Sequence, residues 1–518
     1  MKQLAALLLA LPLLAQADTT LRFCAAGSPK TFDPAMTDSG IDHLAHLPIF
    51  GTLVEVTRGT DKLVPGLATS WTVSPDGLVY TFELRRGVAW QTVDGFKPTR
   101  EFNADDVLFT FGRLLSNSDF AKAAPSVSPY VVSFGWEKLI RNVEKLGSHQ
   151  VRITLAERDA SFLPALTFSF TLMQSAELGA QLLKAGTPQR IAQLPVGTGP
   201  FQLKSFRQDS VIRYVKHPAW WRKDERPRAD QLVYAITSDA SVRAQRLKRD
   251  ECDVAAPVGP AELEQLKKDP AIKLATAPGL NVGILAYNTQ RPATGKLEVR
   301  QALDMAIDKA AILRTVYGEA GTLATSPMPA ANWAHDATLK PAPYDPAKAK
   351  ALLQKAGVLP LNITLWAMPV VRFYNPNGQR MAQMIQADWA KVGVNARIVT
   401  YEWGEYLRRI DAGEHDAALS GWNGDPEPAN TAGQLGCGAN SGTFWCNAAY
   451  DKLLAEARQA LKQEERKVLY GKAQRLAMEQ LPWTPIAYGR VAVPLRAAVK
   501  GFVLDMDGGI YFDGVLPR

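Results

Sequence analysis

Four cysteines, Cys24, Cys252, Cys437 and Cys446, are the residues whose chemistry the sequence bounds most tightly. They form no CxxC pair and have no histidine cluster beside them, which argues against a zinc site. An even number in an exported chain predicts two disulfides, and four cysteines allow three pairings. Sequence proximity favours Cys437 with Cys446, leaving Cys24 with Cys252. In the chain-entropy model that long loop contributes up to about 5 kcal/mol. Catalytic constellations are missing: there is no GxSxG elbow, no HExxH and no P-loop, and the six histidines do not sit at metal-ligand spacing. No nucleophile with a base is evident either, so a catalyst is not expected. One acid has a suggestive setting. Asp425 follows Gly421-Trp422-Asn423-Gly424, after the strand-like Ala417-Ala418-Leu419. That is a strand-to-loop exit, where ligands are commonly held. Read alone, Gly424-Asp425-Pro426 is a turn and Arg372 a surface residue.

The elements around these residues read as mixed α/β. Thr20–Cys24 is a short strand, and Ser70–Val73 and Val79–Leu84 are strands flanking a Pro75-Asp76-Gly77 turn. Asn103 caps a helix running to Leu115. Val151–Leu155 is another strand, and Gly197-Thr198-Gly199-Pro200 is a rigid turn feeding Phe201–Phe206. The pattern changes near Gly279. Beyond it come the strand Val282–Tyr287, a helix from Val299 to Val316, a helix at Ala347–Ala356 and the strand Ile363–Ala367. A helix at Arg380–Val392, the strand Ala396–Val399 and helices near Tyr450–Leu461 and Glu464–Glu479 follow. Alternation of this kind predicts a second α/β lobe. The strand-like Ala498–Asp505 is expected to return to the first, so more than one crossing joins the lobes at a hinge over a cleft.

Composition narrows the partners. The 518 residues exceed one compact core, and 47% hydrophobic with 21% charged residues is ordinary for globular chains. The net charge of +8 is scattered, as in Lys248-Arg249-Asp250-Glu251, and no basic stripe marks a nucleic-acid face. Lys2, the apolar run Leu4–Leu14 and Ala15-Gln16-Ala17 form a secretory signal cleaved after Ala17, too short to span a bilayer. Cys24 lies too far downstream to carry a lipid anchor at that site, so a soluble periplasmic protein is expected.

The segments Leu63-Val64-Pro65-Gly66-Leu67-Ala68, Phe102-Asn103-Ala104-Asp105-Asp106-Val107, Gly197-Thr198-Gly199-Pro200-Phe201 and Gly279-Leu280-Asn281-Val282-Gly283 carry a resemblance. So do Val299-Arg300-Gln301-Ala302-Leu303, Tyr344-Asp345-Pro346 and Met381–Trp389. Over nearly all of the mature chain it resembles the periplasmic dipeptide-binding proteins of ABC transporters, in the peptide- and nickel-binding class. Trp366-Ala367-Met368-Pro369, Arg372–Pro376 and Tyr401–Leu407 resemble the dipeptide branch in particular, as does the cysteine pairing. The resemblance implies a Venus-flytrap fold: a signal at 1–17, a first lobe at 18–279 carrying an inserted subdomain, a second lobe at 280–488, and a return at 489–518. It implies a monomer that needs no cofactor, catches short peptides, docks on an inner-membrane ABC permease and has a chemoreceptor as a further partner.

A dipeptide is a zwitterion whose ends lie roughly 7 Å apart when extended. A closed cleft must therefore supply an anion and a cation, and arginine suits the carboxylate because its fork makes two parallel hydrogen bonds. The resemblance assigns Asp425 to the amine and Arg372 to the carboxylate. It matches Ser39 and Gly40 to a loop on the peptide backbone; Tyr374, Trp403 and Trp422 are candidate pocket walls or, as buried aromatics, simply core. Asp38 departs from the family by replacing a neutral residue: it is a solvated acid, or it adds negative potential that favours basic side chains. The stretch Pro426–Gly436 is about two residues short of the pattern and lacks its acidic and aromatic run. Tripeptides, modified peptides or another amine-bearing ligand are then alternative cargo, beside haem, glutathione, a nickel complex or an opine-like compound.

Overall fold

The computed structural model describes residues 19–517 apart from Asp38, Val127, Arg226, Asp425, Asn440 and Asp507. The signal segment therefore lies outside the described residues. Among those described, no helix is long and apolar enough to cross a membrane.

Near the amino terminus, Thr20–Ala25 alternates Leu21 and Phe23 into an apolar core and pairs in parallel with Gln231–Ile236 and Val254–Ala255. Val211–Lys216 and Phe201–Arg207 extend this sheet antiparallel. Cys24 and Cys252 are bonded, fastening the first strand to a segment 228 residues away. A second sheet runs Val394–Val399, Leu361–Trp366, Ala417–Asn423 and Asn281–Tyr287, with helix Gly378–Ala390 crossing between its parallel pair. Between the first strand and Phe201 lies an inserted four-stranded antiparallel sheet with its own core, packed by helix Ala104–Leu114. Asn103 caps that helix reciprocally with Asp106.

One strand joins the two large sheets. Trp483–Arg496 pairs first with Asn281–Tyr287 and then, beyond Gly489, with Ile272–Pro278. The chain thus crosses between lobes twice, side by side. Asn281 staples the crossings: its amide donates to the Gly489 carbonyl at 3.0 Å and its carbonyl accepts from Gly489 N–H at 2.8 Å. Both atoms are buried, so these bonds fix the hinge.

Three expectations need correction. Ala498–Asp505 is not a strand but an irregular segment held by the bridges Leu504–Ile510 and Lys500–Leu516, although Val499 and Leu504 do pack into the first lobe's core. The stretch from Val299 breaks after Met305, resumes at Lys309–Ile312 and widens into a π-turn at Leu313–Tyr317. The supposed loop after Asp425 contains the helix Pro428–Gly433.

Candidate functional site

The helix Gly40–His46 begins where the first lobe meets the cleft. Ser39 caps it, accepting from Asp42 N–H at 3.3 Å and donating to the Asp42 carboxylate at 2.8 Å. The same carboxylate accepts from Lys30 N–H at 2.7 Å. Behind it, the fully buried His46 lies 2.9 Å from the Thr31 carbonyl through Nε2 and 3.1 Å from the Thr37 hydroxyl through Nδ1. A neutral ring donating from Nε2 satisfies both partners. The loop carrying Ser39 and Gly40 is thus fixed from three sides. Asp38 lies outside the described residues.

Burial depresses His46 from 6.5 to about 4, partly offset by its bond to Thr31. Above pH 6.5 the ring is neutral folded or unfolded. As pH falls from 6.5 toward 4 only the unfolded chain gains the proton, so folding weakens by on the order of 3 kcal/mol and then levels off. We expect urea midpoints to fall between pH 7 and pH 4.5, and the His46→Gln variant to lose that part of the drop. An unchanged pH slope in the variant refutes the assignment.

From the second lobe, Ala417–Asn423 delivers Asn423 and Gly424 to the cleft. Gly424 N–H donates to the Leu280 carbonyl at 2.5 Å. Asp425 itself lies outside the described residues, but its flanks are pinned. Two residues on, Glu427 caps Pro428–Gly433 and pairs with the buried Arg466. Burial pushes the Glu427 carboxyl up, against the opposing pull of Arg466.

Arg372 sits on a tight turn whose ends exchange hydrogen bonds with Asn375 at 3.0 and 3.1 Å. Glycines on three neighbouring strands seat that turn. A Cβ at Gly283 would stand 2.0 Å from the Tyr374 carbonyl, one at Gly489 2.1 Å from the Phe373 carbonyl, and one at Gly421 2.2 Å from the Tyr374 ring. Tyr317 donates to the Tyr374 carbonyl at 2.6 Å. Arg372 is exposed, its guanidinium 5.6 Å above the Trp403 ring. Tyr374 is buried, and burial raises its phenol despite the nearby Arg372.

Between the lobes lies a cleft of about 1180 Å³. Ser39 and Gly40 line it, with Asn423, Gly424 and Pro426 opposite. Arg372, Tyr374, Trp403 and Trp422 are not among its described lining residues. Trp422 packs on the second lobe's core 6.4 Å from Trp483, and Trp403 stacks on Tyr406. Sequence reasoning missed the charged end of the cleft. There Arg58 lies 3.2 Å over the Tyr511 ring, within 3.9 and 3.6 Å of Asp505 and Asp513, and Arg222 pairs with Glu55 at 2.6 Å. Carboxylates already compensate both arginines. The adjacent Trp220-Trp221-Arg222 was the available signal: two large aromatics beside a cation, all three on the cleft wall. Cys437 and Cys446 are bonded, closing a short loop whose Cys437 and Gly438 border the cleft. Among the described residues, no group of three or more His, Cys, Asp or Glu is placed to hold a metal.

Two α/β lobes sharing paired crossing strands around such a cleft define a solute-binding protein of the hinged, ligand-enclosing kind. The chain belongs to the bacterial extracellular solute-binding proteins, family 5, whose middle-region model matches residues 62–443. It is 50% identical over 498 residues to a di/tripeptide-binding protein 1 of Pseudomonas aeruginosa (strain UCBPP-PA14), covering 95% of this chain and 93% of that one. It is 40% identical to heme-binding protein A of Haemophilus influenzae (strain ATCC 51907), covering 96% and 92%. It superposes on the dipeptide-binding protein of Pseudoalteromonas sp. SM9913, solved with Met-Leu, with TM-score 0.86 at 36% identity over 96% and 100% of the chains.

Proposed function

We propose that this chain is exported by its amino-terminal signal, captures dipeptides or other short peptides in the periplasm and hands them to the permease of an ABC importer. Its role is binding without chemistry. The observation that carries the reading is the cleft itself. It is bounded by Ser39 and Gly40 on one lobe and by the residues flanking Asp425 on the other, beside the hinge that Asn281 staples. At about 1180 Å³ it exceeds the roughly 300–1,000 Å³ of ordinary small-molecule sites, leaving room for side chains and water around a short backbone. The relatives named for di- and tripeptides, and the superposable structure holding Met-Leu, support this cargo.

In this reading the lobes comprise residues 18–279 with the 489–518 return, and residues 280–488. Asp425 takes the ammonium, Arg372 the carboxylate, and the Ser39–Gly40 loop the peptide backbone. Because ligand contacts come from both lobes, the closed state is favoured only when peptide is present. Arg372, exposed on its turn with Nη1 donating to the Val371 carbonyl at 3.0 Å and its guanidinium over Trp403, is poised to be drawn into that set.

A thermal-shift screen tests the reading. Di- and tripeptides should raise the melting temperature by several degrees at a hundredfold excess over Kd, the stabilisation being about 2.7 kcal/mol. Free amino acids should not. If haem or glutathione shifts the transition and no peptide does, the cargo is wrong.

A further inference from the structure

We propose that the cleft contains an apolar subsite beside Gly424 and Pro426 that selects peptides whose amino-terminal residue is bulky and apolar. The inference rests on the peptide reading and specifies which side chain that site prefers.

Its first wall comes from the inserted subdomain. Tyr130, Val132, Phe134 and Phe168 line the cleft. Tyr130 packs tilted and Phe134 edge-on against Phe168, with ring centroids 6.0 and 5.4 Å apart, so the wall is a packed surface. Yet none of the four is buried, and Val132 is 61% exposed. An apolar surface left this open inside a ligand cleft gains free energy when an apolar group covers it. The short helix bearing Tyr130 and Val132 is anchored at its start by Ser128, whose hydroxyl donates to the Thr37 carbonyl at 3.3 Å. This wall therefore begins beside the Ser39–Gly40 loop.

The facing wall is the helix Pro428–Gly433, three residues beyond Asp425, which puts Ala429 and Gly433 on the cleft. A Cβ built at Gly433 meets no atom within 4 Å, so the space in front of this helix is open. Hydrogen bonds tie the inserted subdomain to the second lobe. Ala160 N–H donates to the Arg458 carbonyl at 2.7 Å, and Arg158 reaches the Gln459 carbonyl at 3.4 Å. Asp159 lies within electrostatic reach of Glu427, the cap of the facing helix. The neutral amides Asn430 and Gln434 flank Gly433, and Arg458 is among the charged residues lining the cleft. An aromatic wall and a small-residue wall suit a large apolar side chain.

Titration calorimetry on ligand-free protein decides it, comparing Phe-Ala, Ala-Phe, Ala-Ala, Lys-Ala and Glu-Ala. Phe-Ala should bind about tenfold tighter than Ala-Ala, the gain expected from half-burying the ring. Ala-Phe should gain less, and Lys-Ala should bind more weakly than Phe-Ala. Gly433→Leu fills the subsite without displacing backbone, so the Ala-Ala to Phe-Ala Kd ratio should collapse toward one. Phe134→Ala should lower that ratio too, and unliganded melting curves check that both variants fold. Peptide binding with no preference for Phe-Ala, or with Lys-Ala or Glu-Ala tightest, overturns the subsite. So does a ratio unchanged in Gly433→Leu, and Ala-Phe matching Phe-Ala overturns its placement at the amine end. If no peptide binds at all, the underlying functional reading has failed, and that result is distinct from each of these.

Discussion

Asp425→Ala should weaken binding of Ala-Ala by a hundredfold or more, while an N-acetylated dipeptide binds the variant and the parent alike. Closing the lobes strips water from the peptide's ammonium, and a buried cation without a counter-charge costs about 2–5 kcal/mol when one partner of such a pair is truncated. Three kcal/mol is already more than a hundredfold in Kd. Acetylation removes the positive charge from the ligand, so Asp425 then has nothing to pair with. The comparison isolates the ammonium–carboxylate coupling from any general loosening of the loop. Asp425→Asn should lose nearly as much, because an amide keeps the shape without the charge. Arg372→Ala is the mirror experiment: free-carboxylate peptides should suffer far more than carboxy-amidated ones, and Arg372→Lys should rescue little, since lysine cannot form the two-pronged bond. Equal losses for free and blocked peptides would remove these residues from their assigned roles.

What the sequence disclosed divides along the range of the interactions involved. The helix Ala104–Leu114 was legible because its cap, its acidic first turn and its apolar stripe are all local. The change of character near Gly279 was read from the switch in strand and helix alternation, and the strands on either side of it pair with different halves of Trp483–Arg496. The strand Trp483–Arg496 was not: it is an almost continuously buried run containing Pro485 and Pro494, with no alternation, because each half is buried in a different sheet. The helix after Asp425 was hidden by poor helix formers in Pro428-Ala429-Asn430-Thr431-Ala432-Gly433. It is held by the Glu427 cap and by burial of Ala429 and Ala432 against the second lobe. In the site, Ser39, Gly40, Asp425 and Arg372 were candidates through the resemblance alone; of these, Ser39 and Gly40 line the cleft. Spacing alone would have left all of them as turn and surface residues. Arg58 was invisible for a simpler reason. Its partners Asp505 and Asp513 lie some 450 residues away along the chain, and nothing in either segment announces the other. Of the glycines beneath Arg372, Gly283 stood in a resemblance segment and Gly489 drew no notice, and their purpose, letting a loop backbone lie on the hinge, exists only in three dimensions.

A buried ion pair between residues 80 apart in sequence carries the largest expected effect on stability. Asp33 follows the His46-bound Thr31 by two residues, and its carboxylate receives both prongs of Arg113, at 2.8 and 2.6 Å. It also accepts from the Gln174 amide at 2.9 Å and from Ala35 N–H at 3.1 Å. Arg113 in turn donates to Gln174 at 2.6 Å and toward Ser126 at 3.3 Å. The two charged side chains are 1% and 2% exposed. Burial alone would push the Asp33 carboxyl up, but the charge and hydrogen bonds of Arg113 outweigh it and hold the group below its ordinary range. This network ties the segment entering the Ser39–Gly40 loop to the last turn of Ala104–Leu114 in the inserted subdomain. Asp33→Ala leaves a guanidinium buried without an anion, which should cost about 3–5 kcal/mol, read as a lower urea midpoint at unchanged slope. The pair need not be intrinsically stabilising, because its desolvation largely offsets its attraction. Asp33→Ala combined with Arg113→Met should therefore recover much of the loss. A double variant as unstable as Asp33→Ala alone would mean that the damage lies in the broken cap at Pro34–Met36, and not in the stranded charge.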